Sequence, residues 1–446
     1  MLRVSGLLGL RCDPILARGQ RHARDPDLPG VEPYAEAVRR RRYRNVLSIT
    51  AVKIVSIVGA RPQFIKIAPI SRAIAHGALG QDADHRIIHT GQHYDARMSD
   101  IFFSELGLPT AAVNLGVGSG SHGSQTGAML VELERTLQEL SPDLVVVYGD
   151  TNSTLAGTLA AVKLHIPVAH VEAGLRSFNR QMPEEINRVV ADHVCDLLLA
   201  PTPVAVANLR VEGLGGRSVF TGDVMYDAVL FFRALAQQRS TALDRFSLRP
   251  SAYAVATLHR AENTDDSMRL RALLTAFNHV AAHHLPVVFP IHPRTARQIQ
   301  IDLPDWQPHS KLRLVEPVGY LDMLALVDHA AMTLTDSGGL QKEAFFLGCP
   351  CVTLRDETEW EETVRSGANV LVGADPLAIQ SAVADWRERY PEGKADFSLA
   401  VRAAFGEGHA AEAICQALID FLQSGDEANA TPLSTSRAAQ FHRLSS

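Results

Sequence analysis

Residues 52–66 read VKIVSIVGARPQFIK, an apolar run followed by a glycine and then by a basic, partly apolar stretch. The run from Val52 to Val58 is rich in Val and Ile and predicts a buried β-strand. Arg61 and Lys66 then fall at the entrance of the helix that follows, where backbone N–H groups and the helix dipole attract anions. The alternative is a surface arginine beside a lysine that extends toward solvent. The position at a strand end favours an anion site.

Similar apolar runs alternate with amphipathic helical stretches through most of the chain. Continuous apolar strands between helices indicate parallel sheets that are buried on both faces. The first set of predicted strands is Val52–Val58, His85–His89, Leu144–Tyr148, Val168–Val171, Leu197–Ala200 and Ser218–Phe220. The second set is Tyr253–Leu258, Val287–Pro290, Leu312–Glu316, Met332–Thr335, Cys351–Leu354 and Val370–Val372.

A break near residues 223–250 separates the two sets of strands. The pattern predicts an α/β fold of two doubly wound, Rossmann-like domains that face each other across a cleft. We expect residues 52–222 to form the first domain, completed by a C-terminal helix at about 405–424, and residues 223–404 to form the second. Ligands of such folds bind outside the carboxyl ends of the strands, so the site is expected in the cleft.

Composition excludes several classes of protein. A chain of 446 residues is too long for one core, and 46% hydrophobic with 21% charged residues is ordinary for a soluble globular protein. The net charge of −6 argues against a dedicated nucleic-acid binder, and no apolar run approaches the roughly 18 residues that span a bilayer. Five scattered cysteines without a CxxC pair argue against a disulfide scaffold and a structural zinc site, and predict a cytoplasmic location.

The two ends of the chain differ from its middle. Residues 1–50 contain ten Arg, no Lys and five acidic residues, without helical or strand periodicity. This composition predicts that residues 1–51 form a disordered extension, the alternative being a tail that binds RNA or a membrane surface. Residues 425–446 are polar and irregular, and we expect a second disordered tail there.

Carboxylates follow predicted strands or begin a predicted helix in the first half of the chain. Asp150 follows the strand that ends at Tyr148, and Glu172 follows the strand that ends at Val171. Glu184 and Glu185 begin a helix after a proline, where acidic residues often serve only to stabilise the helix. Asp150 could likewise be only a helix N-cap. Carboxylates held together in a dry cleft shift each other's pKa apart, which yields an acid and a base.

Two motifs in the second half could also contribute to a site. His259 ends a strand in the polar sequence TLHRAEN (257–263), where the alternative is a histidine with only structural hydrogen bonds. The sequence TDSGGLQKE (335–343) predicts a strand, a glycine turn and a helix. The amides of Ser337, Gly338 and Gly339 could hold a diphosphate at the helix N-terminus, and Glu343 could accept hydrogen bonds from a ribose. The same pattern also occurs where the helix only packs against the sheet or where it binds a simple anion without a nucleotide.

The signatures of several other enzyme classes are missing from the sequence. It contains no GxxxxGK[ST], no GxSxG and no HExxH motif. The run GVGSGSHG (116–123) superficially resembles a dinucleotide fingerprint. It does not follow the first strand, and no acidic residue ends a strand about 20 residues later, so we interpret it as a flexible loop.

Six motifs together resemble the non-hydrolysing UDP-N-acetylglucosamine 2-epimerases. The resemblance extends from about Val52 to about Gly373, and the motifs occur in the same order as in that family. They are GARPQFIK (59–66), YGDTNSTL (148–155), HVEAGLRS (170–177), MPEEINR (182–188), TLHRAEN (257–263) and TDSGGLQKE (335–343). The family has the two-domain GT-B fold with UDP in the cleft, which agrees with the architecture predicted above.

The resemblance implies a role for each matching residue. Family members invert C2 of the sugar: H2 is removed while the C1–O bond to UDP breaks, and UDP then adds back to a 2-acetamidoglucal intermediate. The implied proton-transfer, sugar-binding and supporting residues are Asp150, Glu172, Glu184, His259, Lys66 and Arg188. The implied UDP-binding residues are Arg61, Val318, Met323, Ser337, Gly338, Gly339 and Glu343. No redox cofactor and no metal are expected, and the expected partners are the UDP-sugar and a second copy of the chain in a homodimer.

Some positions depart from the best-known bacterial pattern of the family. Gln63 stands in place of a Glu, Trp360 in place of an Arg, and Met323 in place of a Phe near the uracil pocket. We expect Gln63 and Trp360 near the sugar and phosphates. There the loss of an acidic group would lower the repulsion of a sugar carboxylate, so that a uronate could bind. The sequence thus also resembles a subgroup that epimerises UDP-2,3-diacetamido-2,3-dideoxyglucuronate. Residues 91–93 (GQH) are followed by Tyr and Asp instead of the Arg and Gln of regulated members, which argues against activation by substrate.

Two other function classes remain open at this point. A GT-B glycosyltransferase would share the fold and the SGG helix but would need an acceptor, and it usually needs fewer carboxylates. A nucleotide-sugar sensor would bind without turnover, and the dense set of ionisable residues argues against it.

Overall fold

The computed structural model describes residues 52–92, 103, 105–391 and 393–430. The predicted extension at residues 1–51 and the end of the predicted tail, residues 431–446, lie outside this range. Within the described residues, no helix combines the length and the apolar character needed to cross a membrane.

The first half of the described chain forms a parallel sheet with the strand order β3-β2-β1-β4-β5-β6-β7. Its central strands are largely buried because most of their residues are Val, Ile, Leu and Ala, as in β4, which has no exposed residue. The elements are β1 (Lys53–Val58), α1 (Arg61–Ala75), β2 (Asp84–His89), β3 (Val113–Asn114), α2 (His122–Leu140), β4 (Leu144–Tyr148), α3 (Asn152–Lys163), β5 (Val168–Val171), α4 (Pro183–Val194), β6 (Leu197–Ala200), α5 (Pro203–Val211), a 3₁₀ turn (Gly215–Arg217) and β7 (Ser218–Phe220).

The second half forms another parallel sheet, with the order β10-β9-β8-β11-β12-β13. It follows a long helix after the first sheet. The elements are α6 (Val224–Arg239), α7 (Ala242–Arg245), β8 (Ala254–Thr257), α8 (Ala261–Thr264), α9 (Ser267–His283), β9 (Val287–Pro290), α10 (Pro293–Asp302), β10 (Leu312–Val315), α11 (Tyr320–Asp328), β11 (Met332–Thr335), α12 (Gly338–Phe346), β12 (Cys351–Thr353), α13 (Glu361–Arg365), β13 (Asn369–Leu371), α14 (Pro376–Arg389), α15 (Ser398–Phe405) and α16 (Ala410–Ala430).

The two parallel sheets with interleaved helices confirm the predicted fold class. Every predicted strand is present to within two residues, and the sequence missed β3, which pairs with β2 through only two residues. Of the run 116–123, residues 116–121 belong to no helix or strand, in agreement with the predicted loop, while His122 and Gly123 already lie in α2.

The C-terminal region differs in part from the prediction. The closing helix α16 begins only at Ala410, because Gly406 and Gly408 with φ of +87° and +83° separate it from α15. It continues to Ala430 and so includes the first six residues of the predicted tail, 425–430. The residues that follow Leu422 are polar and lack apolar periodicity, yet residues such as Glu and Ala are good helix formers. The helix contacts α1 and α6, as a helix that completes the first domain should, and the exact domain bounds remain predictions.

The strand order reverses between β1 and β4 in the first sheet and between β8 and β11 in the second. Such reversals leave a crevice at the carboxyl ends of the strands, where ligands of doubly wound sheets bind. One of the buried clusters that join the two halves packs residues from α1, α6, α11, α12 and α16 together. The carboxyl edges of both sheets are thereby fixed near each other.

Candidate active site

The polar residues that the sequence singled out lie at the carboxyl edges of the two sheets. Each follows the strand predicted for it, and the four strands at the two reversals contribute most of them. The residues are Arg61 and Lys66 on α1 after β1, Asp150 after β4, Glu172 after β5, Glu184 and Arg188 on α4, His259 after β8, and Ser337, Gly338, Gly339 and Glu343 at and within α12 after β11.

Glu172 is the residue with the most unusual environment. It is buried, 7% exposed, and its φ of +74° is in the left-handed region that costs a residue with a Cβ roughly 1–2 kcal/mol. Its Oε1 accepts a hydrogen bond from Lys66 Nζ at 2.6 Å, and its Oε2 accepts one from Lys342 Nζ at 3.1 Å. Burial alone would raise the pKa of Glu172, but the two lysine charges outweigh it and lower the pKa to about 2. The carboxylate is therefore ionised at neutral pH.

Lys342 connects Glu172 to a second buried carboxylate. Its Nζ donates to Asp223 Oδ2 at 2.6 Å and lies 3.8 Å from the centre of the Trp360 ring. Burial would lower the pKa of Lys342, whereas Asp223 and Glu172 raise it and keep the ammonium charged. We name Lys66, Glu172, Asp223 and Lys342 the charge cluster. Its two cations balance its two anions in a region that water barely reaches.

Asp150 forms a separate ion pair at the end of β4. Its Oδ2 accepts a short hydrogen bond from Arg188 Nη2, and its side chain is 27% exposed. Arg188 is buried, and burial opposes its charge, but Asp150 and other carboxylates raise its pKa. Gly149, directly before Asp150, has a φ of +63°, and a Cβ there would lie 2.8 Å from Lys66 Nζ. This glycine lets Asp150 and the charge cluster share one end of the sheet.

The two glutamates at the start of α4 have different environments. Glu185 is buried and accepts hydrogen bonds from the backbone N–H groups of Ser177 and Phe178 at 2.9 and 3.0 Å. It also pairs with Arg188 at 2.9 Å, so it orients that arginine and the preceding loop. Glu184 is half-buried and makes no hydrogen bond or ion pair with the described residues. Of the two, Glu184 is the one with a carboxylate left for a ligand.

The N-terminus of α12 has the geometry expected for an anion site. Ser337 is the N-cap, and its Oγ accepts a hydrogen bond from Leu340 N at 3.4 Å. A Cβ on Gly339 would meet only the Ser337 side chain, at 3.9 Å, so this position is open. A Cβ on Gly338 would lie 3.3 Å from Glu359 Oε1, which explains why a glycine is suited here. The first-turn amides of such a helix attract phosphate oxygens.

Arg61 and Glu343 bring the two halves of the chain together beside that helix. Glu343 is buried on α12, and burial raises its pKa to about 7, although the charge of Arg61 acts in the opposite direction. Burial lowers the pKa of Arg61, and the charges of Glu343, Tyr320 and Glu105 oppose this effect. Arg61 from α1 and Glu343 from α12 therefore interact across the interface.

We expect Glu343 to make the stability of the protein depend on pH. Its folded-state pKa of about 7 exceeds the ordinary value of 4.5, so the native state binds more protons between these values. The free energy of unfolding should then fall as pH rises from about 4.5 to 7, by at most roughly 3 kcal/mol. Glu343→Gln cannot titrate and should flatten this slope in urea unfolding at a series of pH values. Equal slopes for both proteins would contradict the expectation.

His259 is held by the aspartate that ends β11. Asp336 is buried, and its Oδ2 accepts hydrogen bonds from the backbone N–H groups of His259 and Arg260, both at 2.9 Å. Its Oδ1 lies 3.1 Å from His259 Nδ1. The imidazole is 42% exposed, so Nε2 is the nitrogen that can meet a ligand. The neighbouring carboxylate of Asp336 thus orients His259.

Val318 and Met323 lie on either side of the N-terminus of α11. Both are partly buried and pack against the cluster that joins the two halves. The carboxylate of Glu105 accepts hydrogen bonds from the N–H groups of Tyr320 and Leu321, at 3.2 and 2.8 Å. A uracil contact by Val318 and Met323 stays a prediction.

The structure corrects the expectation that Gln63 lies beside the sugar. Gln63 is fully buried, and its Oε1 accepts hydrogen bonds from Gly59 N and Ala60 N at 2.8 and 3.0 Å. Its Nε2 donates to Tyr148 O and Thr154 Oγ1 at 2.8 and 3.1 Å. All of its hydrogen-bonding positions are used to fasten the β1–α1 turn to the end of β4, so none is directed at a substrate.

Trp360 is close to the charge cluster, as expected, but its ring is buried. The ring is 4% exposed, packs on Phe405 with centroids 6.1 Å apart, and lies against the ammonium of Lys342. Its effect on a substrate would therefore pass through Lys342. The charges at these two positions therefore do not support better tolerance of a uronate, since Gln63 is hydrogen-bonded to buried groups and Trp360 is buried.

No role was assigned from the sequence to Lys342 or Asp223, and Glu185 was considered only as a helix stabiliser. Lys342 stands beside Glu343 among the apolar residues of α12, and a charged pair within an apolar helical stretch was a signal that could have been used. Asp223 precedes α6 and caps it through a 2.8 Å bond from Met225 N, a role that hides its contact with Lys342. The predicted loss of the regulatory site involves residues 93–95, which lie outside the described residues, and it stays a prediction.

Comparisons with known proteins show what the chain is similar to. Residues 78–419 match the family model described as UDP-N-acetylglucosamine 2-epimerase. The chain is 51% identical over 336 residues to UDP-2,3-diacetamido-2,3-dideoxy-D-glucuronate 2-epimerase from Pseudomonas aeruginosa, covering 74% of this chain and 91% of that protein. It is 45% identical over 356 residues to UDP-N-acetylglucosamine 2-epimerase from Methanocaldococcus jannaschii, covering 77% and 96%.

A solved structure shows the same likeness in three dimensions. The crystal structure of Methanocaldococcus jannaschii UDP-GlcNAc 2-epimerase in complex with UDP-GlcNAc and UDP superposes with a TM-score of 0.75 at 43% identity. The match covers 82% of this chain and 99% of that one. The architecture is the GT-B-like two-domain fold of these enzymes.

Proposed function

Since the chain belongs to the UDP-N-acetylglucosamine 2-epimerase family, we propose that it interconverts UDP-GlcNAc and UDP-ManNAc by eliminating UDP and adding it back. The product would feed the synthesis of surface polysaccharide precursors. One observation supports this most strongly: the charge cluster joins an ionised, strained Glu172 to the helix whose N-terminus suits a diphosphate. Lys342 on α12 thus connects the Glu172 carboxylate to the helix proposed to bind the diphosphate.

The proposed reaction assigns a task to each part of the site. The electron pair of the C2–H bond forms the C1=C2 double bond, the C1–O pair leaves with UDP, and a protein group takes the proton. UDP then adds back to C1 while a proton reaches C2 from the opposite face, so two proton carriers are required. We assign proton transfer to Asp150 and Glu184 with His259, because the charges of Lys342 and Lys66 lower the pKa of Glu172 and so make it a weaker base. Glu172 then orients Lys66 toward the developing charge on UDP.

We assign UDP to residues from both halves of the chain. The amides of Ser337, Gly338 and Gly339 would bind the diphosphate, with Arg61 and Lys66 as the charged donors. Glu343 would accept hydrogen bonds from the ribose, and Val318 and Met323 would contact uracil. This arrangement stabilises the leaving UDP electrostatically.

The proposal predicts solvent exchange at C2 without any acceptor. In D2O, the protein should introduce deuterium at C2 of UDP-GlcNAc, because H2 leaves and a solvent-derived proton returns. Proton NMR of UDP-GlcNAc with the purified protein measures this as loss of the H2 signal. A requirement for an acceptor in all chemistry would favour a glycosyltransferase, and binding without exchange would favour a sensor.

A second candidate substrate is the UDP-2,3-diacetamido uronate. The observation that favours it is the 51% identity to the Pseudomonas aeruginosa enzyme of that name. The comparison is kcat/KM for UDP-GlcNAc against the diacetamido uronate. We expect UDP-GlcNAc to be preferred, because the argument from Gln63 no longer supports a uronate. A preference of tenfold or more for the uronate would reverse the assignment.

We further propose that the protein acts as a homodimer in the cytoplasm. The dimer follows from the family resemblance, and light scattering of the purified protein tests it. Among the described cysteines, Cys195, Cys349, Cys351 and Cys415 are buried free thiols, which suits a reducing compartment. Fractionation of cells that produce the protein tests the location.

A further inference from the structure

Lys342 is buried but has no task in the reaction as assigned above. Its side chain is 1% exposed, and a bare ammonium would be unfavourable there. Three contacts hold it: Asp223 at 2.6 Å, Glu172 at 3.1 Å and the Trp360 ring at 3.8 Å. The sequence places a lysine directly beside Glu343, the residue assigned to the ribose.

The position of Lys342 on α12 links it mechanically to the nucleotide. Gly338 and Lys342 are four residues apart, or about 6 Å along the helix axis. Any displacement of the helix N-terminus on UDP binding would therefore also move Lys342. Glu172 follows a strand of the first sheet, so the distance between Lys342 and Glu172 depends on the position of α12 relative to that sheet.

The charged groups around these two residues come from every element packed on them. Glu172 faces Lys66 from α1 and Lys342 from α12. Lys342 additionally faces Asp223 at the start of α6 and interacts with its neighbour Glu343. Asp223 in turn interacts with Asp227 and Glu362. Lys342 is thus the cation on α12 that reaches Glu172, and Lys66 supplies the opposing contact.

We propose that Lys342 is a positioning residue: from the nucleotide-binding helix α12 it holds the carboxylate of Glu172 in place, and it thereby couples UDP binding to the position of that carboxylate. Asp223 and Trp360 hold the ammonium in place for this purpose. Lys66 and Lys342 bind one oxygen of Glu172 each, so the carboxylate cannot rotate without losing one of them. The role rests on the proposed function, since it concerns the same site.

The test removes the cation without leaving its partner unpaired. Lys342→Met alone would leave Asp223 buried without its cation and could unfold the protein, so the main variant is Lys342→Met with Asp223→Asn. Asparagine is also a good N-cap for α6. Asp223→Asn alone is the matched control, because it keeps the contact between Lys342 and Glu172.

The first readout is kcat beside the Kd of UDP. With one of its two cations gone, Glu172 is no longer held in place to orient Lys66, so kcat should fall at least about tenfold below that of the control. The control keeps the contact between Lys342 and Glu172, so its kcat should fall less. UDP affinity measured by calorimetry should change less than kcat, since Ser337, Gly338 and Gly339 are intact. Equal kcat in the double variant and the control would overturn the proposal and leave Lys342 a structural residue.

A second readout needs no substrate, so it separates this inference from the proposed function. An ionised Glu172 stabilises the fold above its unfolded pKa, and that contribution disappears as pH falls through the folded pKa. The loss should begin at higher pH in the double variant than in the wild type, and adding Glu172→Gln should abolish the difference. Identical acid unfolding of wild type and double variant would refute the role even if the enzyme epimerised no UDP-sugar.

Discussion

Replacing Asp150 with asparagine is expected to lower kcat at least about a hundredfold. Acid–base groups commonly contribute a factor of 10² to 10⁴, and asparagine keeps the size of the side chain but cannot carry the proton. The fold should survive, because Arg188 keeps its 2.9 Å contact with Glu185. The measurements are kcat for UDP-GlcNAc epimerisation and the melting temperature.

Asp143→Asn is the matched control for Asp150. Asp143 lies at the opposite end of the same strand, where its carboxylate accepts a hydrogen bond from Lys53 N at 2.8 Å. Since that edge of the sheet is remote from the site, we expect nearly normal kcat. If Asp150→Asn retained more than a tenth of the wild-type kcat, Asp150 would be only the partner of Arg188.

Glu172→Gln is also expected to lower kcat at least about a hundredfold. Unlike Asp150→Asn, it should also destabilise the fold. The sequence predicted that Glu172 lies in the cleft, at the carboxyl end of its strand. The structure buries it between Lys66 and Lys342, so its neutralisation leaves two buried cations with one fewer anion. Breaking such a pair can cost about 3–5 kcal/mol. Asp150 is therefore the cleaner test of the chemistry.

Replacing Arg61 with methionine is expected to weaken UDP binding by at least about tenfold. A charge-assisted hydrogen bond contributes roughly 1.5–3 kcal/mol, and we assign one or more from Arg61 to the diphosphate. The KM of the UDP-sugar should rise with the Kd of UDP, because both contain the diphosphate. Calorimetry with UDP measures the effect directly.

Arg72→Met serves as the control for Arg61. Arg72 is on the same helix, but its guanidinium lies over the Phe231 ring, 3.3 Å from the centroid, away from the start of α1. We expect its replacement to leave the Kd of UDP within about twofold. A similarly small change for Arg61→Met would remove Arg61 from the UDP site.

Much of the site could be predicted from local patterns. Asp150, His259 and the Ser337–Gly339 turn all follow apolar strands, and parallel strands bring their carboxyl ends to one edge. A strand followed by a glycine turn and a helix is a local feature, so the sequence carries it. Contacts between residues 106 to 170 positions apart, such as those of Glu172 with Lys66 and Lys342, leave no local pattern.

Gln63 shows the opposite limit of sequence reasoning. A polar residue within a functional motif was expected to face the substrate. It instead satisfies buried backbone groups of two strand ends, which a motif cannot reveal because only the packing of α1 on β4 directs the side chain inward.

The sequence by itself determined the α/β class, the strand sequence and the side of each sheet on which the site lies, because hydrophobic periodicity and turn residues act over short distances. Only the tertiary structure decided which charges meet. It placed Lys342 against Glu172 and Asp223, and it gave Glu185 rather than Glu184 to Arg188. The reason is that a buried charge is tolerated only beside a partner, and for Glu172 and Lys342 that partner comes from the opposite half of the chain.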